Sequence, residues 1–114
     1  MKRFSRRRSD CPISATLEVV GDKWSLLVVR DLTLGKTRFS EFLGSPEGVT
    51  TNILADRLKR LESQGIVSRT PYQERPRRFA YTLTDKGRAL EPVLESMCQW
   101  VEDWPPAPPP RPKT

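Results

Sequence analysis

The chain has no histidine and only two cysteines, Cys11 and Cys98, among its 114 residues. Without histidine it lacks the commonest general base and the commonest metal-binding ring. Two cysteines make neither a disulfide framework nor a zinc site. No metal cluster, phosphate loop or catalytic constellation can be assembled from what remains, so the expectation is a non-enzyme with no cofactor and no metal. Apolar residues are scarce as well, at 36%, which limits the core and favours its completion by a second subunit. No apolar run approaches the roughly 18 residues of a membrane-spanning helix. The basic start, MKRFSRRRSD, is not followed by the apolar segment a secretory signal needs. The expected setting is the cytoplasm, with no membrane partner. Acidic residues are outnumbered, 14 against 20 lysines and arginines, giving a net charge of +6 and a pI near 9.8. That excess points to a polyanion as partner.

The stretch from Gly48 to Gly65, GVTTNILADRLKRLESQG, reads as one helix with a start and a stop. Thr50 is placed to cap its first turn, and Gly65 follows its last residue, where a left-handed cap wants glycine. Leu54, Leu58 and Leu61 fall on one face, with Ile53 at the edge. The opposite face carries Asn52, Asp56, Lys59 and Ser63, flanked by Thr51, Ala55 and Arg60. Short polar side chains in the first turn and cations further along suit a helix entering a DNA major groove. The same pattern also describes an amphipathic surface helix with a solvated outer face.

Residues 1–10 carry five cations against one carboxylate and read as a flexible basic arm, either phosphate-seeking or solubilising. Pro12 opens a helix over residues 12–20, with Ile13, Leu17 and Val20 in a stripe. Gly21-Asp22 breaks it. Residues 24–34 form the most hydrophobic helix. Trp24, Leu27, Val28 and Leu32 lie on one side and Leu26 and Val29 widen it, so it belongs at the centre of the core with Trp24 as an anchor. After Gly35-Lys36-Thr37, a short helix over residues 38–43 turns Phe39, Phe42 and Leu43 inward. Short helix, turn and longer helix make a helix-turn-helix over about residues 38–64.

Past Gly65 the period changes. Residues 66–72 and 78–83 read as two strands, the second with Phe79, Tyr81 and Leu83 alternating. Together they make a hairpin wing over about residues 66–83, with Arg75, Arg77 and Arg78 at or beside its tip. Such a tip suits phosphate or minor-groove contact, although solvated charge on an exposed hairpin would look the same. Thr84 caps a last helix over about residues 85–104. Its Leu90, Leu94, Met97, Val101 and Trp104 are spaced four, three, four, three, a seam reinforced by Val93 and Trp100. So apolar a face is expected to form a homodimer interface. Pro92 predicts a kink, or a helix that truly begins there. The proline-rich tail, residues 105–114, should be extended and disordered.

These residues resemble the HxlR-type family of winged helix-turn-helix transcriptional regulators, within the wider MarR-like class. The resemblance rests on Cys11-Pro12, Gly21-Asp22-Lys23-Trp24, Arg30-Asp31-Leu32, Arg38-Phe39-Ser40-Glu41, Asn52-Ile53-Leu54 and Arg57-Leu58-Lys59-Arg60-Leu61-Glu62. It continues through Gly65-Ile66-Val67, Pro71-Tyr72, Arg75-Pro76, Tyr81-Thr82-Leu83-Thr84 and Lys86-Gly87. Each piece is weak alone, but their order and spacing across residues 11–100 are specific. The resemblance implies a mainly α fold with a small β-hairpin, in a winged-helix domain over residues 11–104. It implies a homodimer on double-stranded DNA at an imperfect promoter palindrome, usually as a repressor. Carried over by position, Thr50, Thr51, Asn52 and Ala55 face the groove. Arg38, Ser40, Lys59, Arg75, Arg77 and Arg78 contact the backbone. The terminal helices build the dimer, which adds Ile13 and Leu17 to the seam. Arg57 fits the family pattern either as a contact or as a structural cation paired with a carboxylate. The chain departs from many relatives at Ala80, where they have a carboxylate, and at Arg77, where they have a second wing proline. The resemblance names no small-molecule effector.

Some members of that family sense electrophiles or oxidants through the cysteine at the position of Cys11. A basic arm and a helix N-terminus beside it would both favour the reactive thiolate. Free cysteines also serve as small buried hydrophobes, and both readings stand for Cys11 and for Cys98. Alternatives to the operator-binding regulator are therefore a thiol-based redox sensor, or a winged-helix module that binds RNA or protein without an operator.

Overall fold

Residues 9–108 are described by the computed structural model. The expected basic arm, apart from Ser9 and Asp10, and the end of the proline-rich tail lie outside the described residues. The first helix, α1 (Pro12–Val20), begins with proline in its first turn, where the missing N–H would have no partner. Two helices follow, α2 (Ser25–Thr33) and the short α3 (Phe39–Leu43). Trp24 and Arg38, expected as the first residues of these helices, instead sit just before them. Asp22 explains the first case, because its carboxylate accepts the amides of Trp24 at 2.9 Å and Ser25 at 3.1 Å and so starts the helix one residue later. Glu41 explains the second by accepting the Thr37 and Arg38 amides, each at 2.9 Å.

The fourth helix, α4 (Thr51–Ser63), has the ends read from the sequence. Thr50 Oγ1 accepts the Ile53 amide at its start. At its end Gly65 has φ +73°, its amide bonds to Glu62, and the Ile66 amide reaches back to Leu61 at 3.0 Å. This is the paired closing arrangement that needs a left-handed residue, hence glycine. Because Ile66 is used in that closure, the first strand, β1 (Val67–Glu74), starts one residue later than expected. It pairs antiparallel with β2 (Arg77–Leu83), Val67 opposite Leu83, and an irregularity between Pro71 and Gln73 accommodates the proline. Both strands run further toward the tip than the sequence indicated, leaving only Arg75-Pro76 to turn the chain.

The expected final helix is two. A single turn, α5 (Asp85–Arg88), is capped by Thr84, whose Oγ1 accepts the Gly87 amide at 3.1 Å. The chain then re-forms a helix as α6 (Glu91–Asp103), with Pro92 in its first turn. The break falls where proline requires it, since a ring inside a continuous helix would remove a hydrogen bond and meet the preceding turn. Gly87 is buried against β1's approach: a Cβ there would lie 2.2 Å from the Ile66 carbonyl oxygen.

Val28, Val29 and Leu32 of α2, Phe42 of α3, Leu54, Leu58 and Leu61 of α4, and Ile66, Val67 and Leu83 of the wing base form one buried cluster. Each such side chain contributes about 1.5–3 kcal/mol through removal from water. Trp24 packs at the margin of this cluster rather than inside it. Leu90 and Leu94, expected in the intersubunit seam, are half-buried against the core of their own chain. A small domain with few apolar residues recruits the start of the terminal helix to close its own core.

Candidate nucleic-acid interface

The outer face of α4 presents Thr50, Thr51, Asn52, Ala55 and Lys59 to solvent, while Leu54, Leu58 and Leu61 are buried on the other side. Its first turn carries no charge. Asp56, one turn on, is turned toward cations of its own helix: it contacts Arg57 and lies 3.8 Å from Arg60. The N-terminal outer surface is therefore made of hydroxyl, amide and methyl groups.

This helix is held in place by Asp22. Arg57 Nε donates to Asp22 Oδ2 at 2.7 Å, while the same carboxylate caps α2 and accepts the Ser25 hydroxyl. Burial works to raise the Asp22 pKa, but the Ser25 hydroxyl, the Trp24 amide and Arg57 outweigh it and hold the carboxyl well below its ordinary range. The hydrogen bond to Asp22 in turn raises the Arg57 pKa. Arg57 is thus paired with carboxylates and largely covered, as the structural reading of its position expected.

The turn before α4 is fixed as well. Arg30 grips Glu47 through two hydrogen bonds of 2.7 and 2.8 Å, and these hold the Glu47 carboxyl down to about 2. Asp31, buried on the core side of α2, accepts Arg30 Nη2 at 2.9 Å and the Ser45 hydroxyl, with Lys36 Nζ at 3.8 Å. A carboxylate on the helix expected at the centre of the core was the sequence signal for this network, because burial demands partners for it.

The wing meets α3 along a backbone seam. The Tyr81 amide donates to the Thr37 carbonyl at 2.7 Å, and Arg38 bridges Ala80 on the edge of β2. Between α3 and the wing lies an open cleft of about 320 Å³, lined by Arg38, Ser40, Arg77 and Arg78 together with the rings of Tyr72, Phe79 and Tyr81. Four of the expected backbone-contacting residues are thereby brought together. Arg75, at the turn, and Lys59, on α4, are exposed but outside this cleft. Lys59 and the three wing arginines form no ion pair among the described residues.

Tyr72 and Arg69 escaped the sequence reading as site residues. The Arg38 guanidinium sits over the Tyr72 ring, 4.1 Å from its centroid. Arg69 of β1 sits over Phe79 at the same distance and pairs with Glu62 of α4 at 3.3 Å, while Arg77 lies 5.7 Å from that ring. For Arg69 the interleaving of arginine and aromatic residues along both strands was the available signal.

Cys11 stands at the residue just before α1 and is exposed, so it is not a buried hydrophobe. The amides of Ser14 and Ile13 hold its thiol below the ordinary value. Cys98, on α6, is exposed too. Beside it the helix leaves Val93, Met97, Trp100, Val101 and Trp104 uncovered, with Trp100 and Trp104 67% and 70% exposed; on α1, Ile13 and Leu17 are also exposed. Among the described residues no helix is long and apolar enough to cross a membrane.

The model of the family described as HxlR-like helix-turn-helix matches residues 19–108. The HTH-type transcriptional regulator sll1512 of Synechocystis sp. is 40% identical over 94 residues, covering 82% of this chain and 70% of its own. The crystal structure of PA1607, a transcription factor by its description, superposes with a TM-score of 0.78 at 44% identity, covering 96% of this chain and 75% of that one. The redox regulator HypR in its oxidized form superposes with a TM-score of 0.75 at 37% identity, covering 85% of this chain and all of that one. With a winged helix-turn-helix of this build and relatives of this kind, the chain belongs to the HxlR-like helix-turn-helix family of transcriptional regulators.

Proposed function

We propose that this regulator is a homodimer that binds an imperfect palindrome in promoter DNA and represses transcription there. The observation that carries the reading is the division of its cationic and neutral surfaces. An uncharged first turn on α4 suits base edges, and a cleft of arginines between α3 and the wing suits phosphates. On this reading Thr50, Thr51, Asn52 and Ala55 meet bases, and Arg38, Ser40, Lys59, Arg75, Arg77 and Arg78 meet the backbone. The uncovered part of the terminal seam, Met97, Val101 and Trp104 with Val93 and Trp100, pairs the two subunits, joined by Ile13 and Leu17. So large an exposed apolar stripe favours a partner over solvent. Two copies would place their reading helices about 34–36 Å apart, one turn of DNA.

The test is selection of bound sites from a random duplex library, with the dimer checked by sedimentation. The expected result is a palindrome with half-sites one turn apart, bound with an affinity that falls about 10³–10⁵-fold between 50 and 200 mM salt if six to ten phosphates are neutralised. Enrichment of no motif, or preference for single-stranded RNA, would refute it.

A second reading adds a signal. The exposed Cys11 thiol with its lowered pKa, and the likeness to the redox regulator HypR, favour Cys11 as an oxidant sensor whose oxidation weakens DNA binding. Diamide treatment of the wild type and Cys11→Ser tests it: equal responses in both would dismiss Cys11.

A further inference from the structure

We infer that the cleft between α3 and the wing is a seat for one sugar-phosphate unit of the DNA backbone, and that Tyr72 is the residue that positions Arg38 within it. The inference rests on the DNA-binding reading and deepens it. The cleft combines two kinds of lining. Arg38, Arg77 and Arg78 offer the charge and the fork of donors that a phosphate takes. The aromatic rings give a surface suited to the apolar edge of a deoxyribose. A volume of about 320 Å³ admits a unit of that size while leaving the phosphate in contact with solvent. Occupied by a sugar-phosphate unit, it would grip any sequence alike.

Arg38 is a long side chain at a loop-helix junction and would otherwise sample many rotamers. Tyr72 reduces that freedom, because the guanidinium lies 4.1 Å from the ring centroid, in the range where a cation is held over a π face. The two residues come from different elements, yet the backbone bond from Tyr81 to Thr37 and the bridge from Arg38 to Ala80 fix those elements against each other. The wing and the helix-turn-helix therefore approach the backbone as one rigid jaw. Tyr72 is 40% exposed, so its ring is not part of the buried core.

The experiment measures binding of a duplex selected by the wild-type protein, at several salt concentrations, for the wild type, Tyr72→Phe, Tyr72→Ala, Arg38→Ala and the double variant Tyr72→Ala/Arg38→Ala. Arg38→Ala is expected to lower the salt slope by about 0.9, the share of one neutralised phosphate. Tyr72→Ala is expected to keep that slope and weaken binding about three- to tenfold, the cost of ordering one free long side chain. Tyr72→Phe keeps the ring and should bind within about twofold of wild type, and Tyr72→Ala should add nothing once Arg38 is gone. Thermal melting checks that all four variants fold; if Tyr72→Ala melts near the assay temperature, Tyr72→Leu replaces it alone and in the double variant, keeping bulk without a π face. Additive losses in the double variant, or a Tyr72→Phe as weak as Tyr72→Ala, would overturn the positioning role while leaving DNA binding intact. Failure of the wild type to bind any duplex would overturn both.

Discussion

Replacing Asp22 with alanine removes two things at once, and their sizes can be worked from the geometry. The first is the cap of α2, two amides at 2.9 and 3.1 Å and the Ser25 hydroxyl. Loss of such a cap costs about 1 kcal/mol, with a range of about 0.5–2. The second is the partner of Arg57, whose Nε lies 2.7 Å away and whose side chain is only 19% exposed, against 21% for Asp22. A hydrogen bond to a charged group contributes about 1.5–3 kcal/mol, and the lower end applies because Arg57 keeps Asp56. The expected loss is therefore about 2–4 kcal/mol out of a total of about 5–15. In a domain of this size that lowers Tm by roughly 10–20 °C. Asp22→Asn retains an acceptor for the amides and should cost about 1–2 kcal/mol. A double-mutant cycle of Asp22→Asn with Arg57→Gln, read by urea unfolding, isolates the pair and should give a coupling above about 0.5 kcal/mol.

The same carboxylate predicts a pH dependence whose sign is fixed. Its pKa is held low in the folded protein, so its contribution is fully present above the unfolded value of about 3.9 and is lost as the medium becomes more acid. The stability difference between wild type and Asp22→Asn should be flat from pH 6 to 8. Below about pH 4 it should narrow by up to about 1.4 kcal/mol per pH unit. Glu47, held down to about 2 by Arg30, adds to the same acid loss. A cost for Asp22→Ala below 1 kcal/mol, or a difference that widens in acid, would show that Asp22 does not tie α4 to α2.

Three further outcomes address the interface. Neutralising Arg75, Arg77 and Arg78 to glutamine should weaken binding to all duplexes alike and reduce the salt slope by up to about 0.9 for each phosphate left without its cation, measured by fluorescence anisotropy across a salt series. Asn52→Ala should instead change which site is selected, by about 1–3 kcal/mol at one base pair, and an unchanged motif would misplace the groove face. Replacing Trp100 and Trp104 with serine should leave the circular dichroism of the fold in place, because both are exposed in the single chain, while sedimentation shifts to the monomer. Retention of the dimer would move the interface elsewhere.

How much of this was legible in the sequence depended on the range of the forces involved. Features governed by a few neighbouring residues were readable: Thr50 and Gly65 mark the ends of α4 because capping is a local matter of one side chain or one φ angle. Pro92 marked the break before α6 for the same reason. Periodicity found the buried face of α4 and only part of that of α2, where Val28 and Leu32 are buried but Val29 is covered in place of Leu27, and it could not say which apolar residues would find partners within the chain. Leu90 and Leu94 share a seam with Met97 and Val101, yet the first pair closes the domain's own core and the second lies open. That division depends on where α1, α2 and α6 converge, which no spacing encodes. Long-range polar partners were the least visible. Asp22 and Arg57 stand 35 positions apart, and the sequence offered only a cation at the buried edge of a helix that needed some carboxylate. Arg38 on Tyr72 had no signal of its own, because the pairing exists only once β2 brings the wing beside α3. The residues proposed to read or grip a nucleic acid were thus nameable from residue type and helical position, whereas the partners that fix their surroundings became nameable only when the chain had closed around its core.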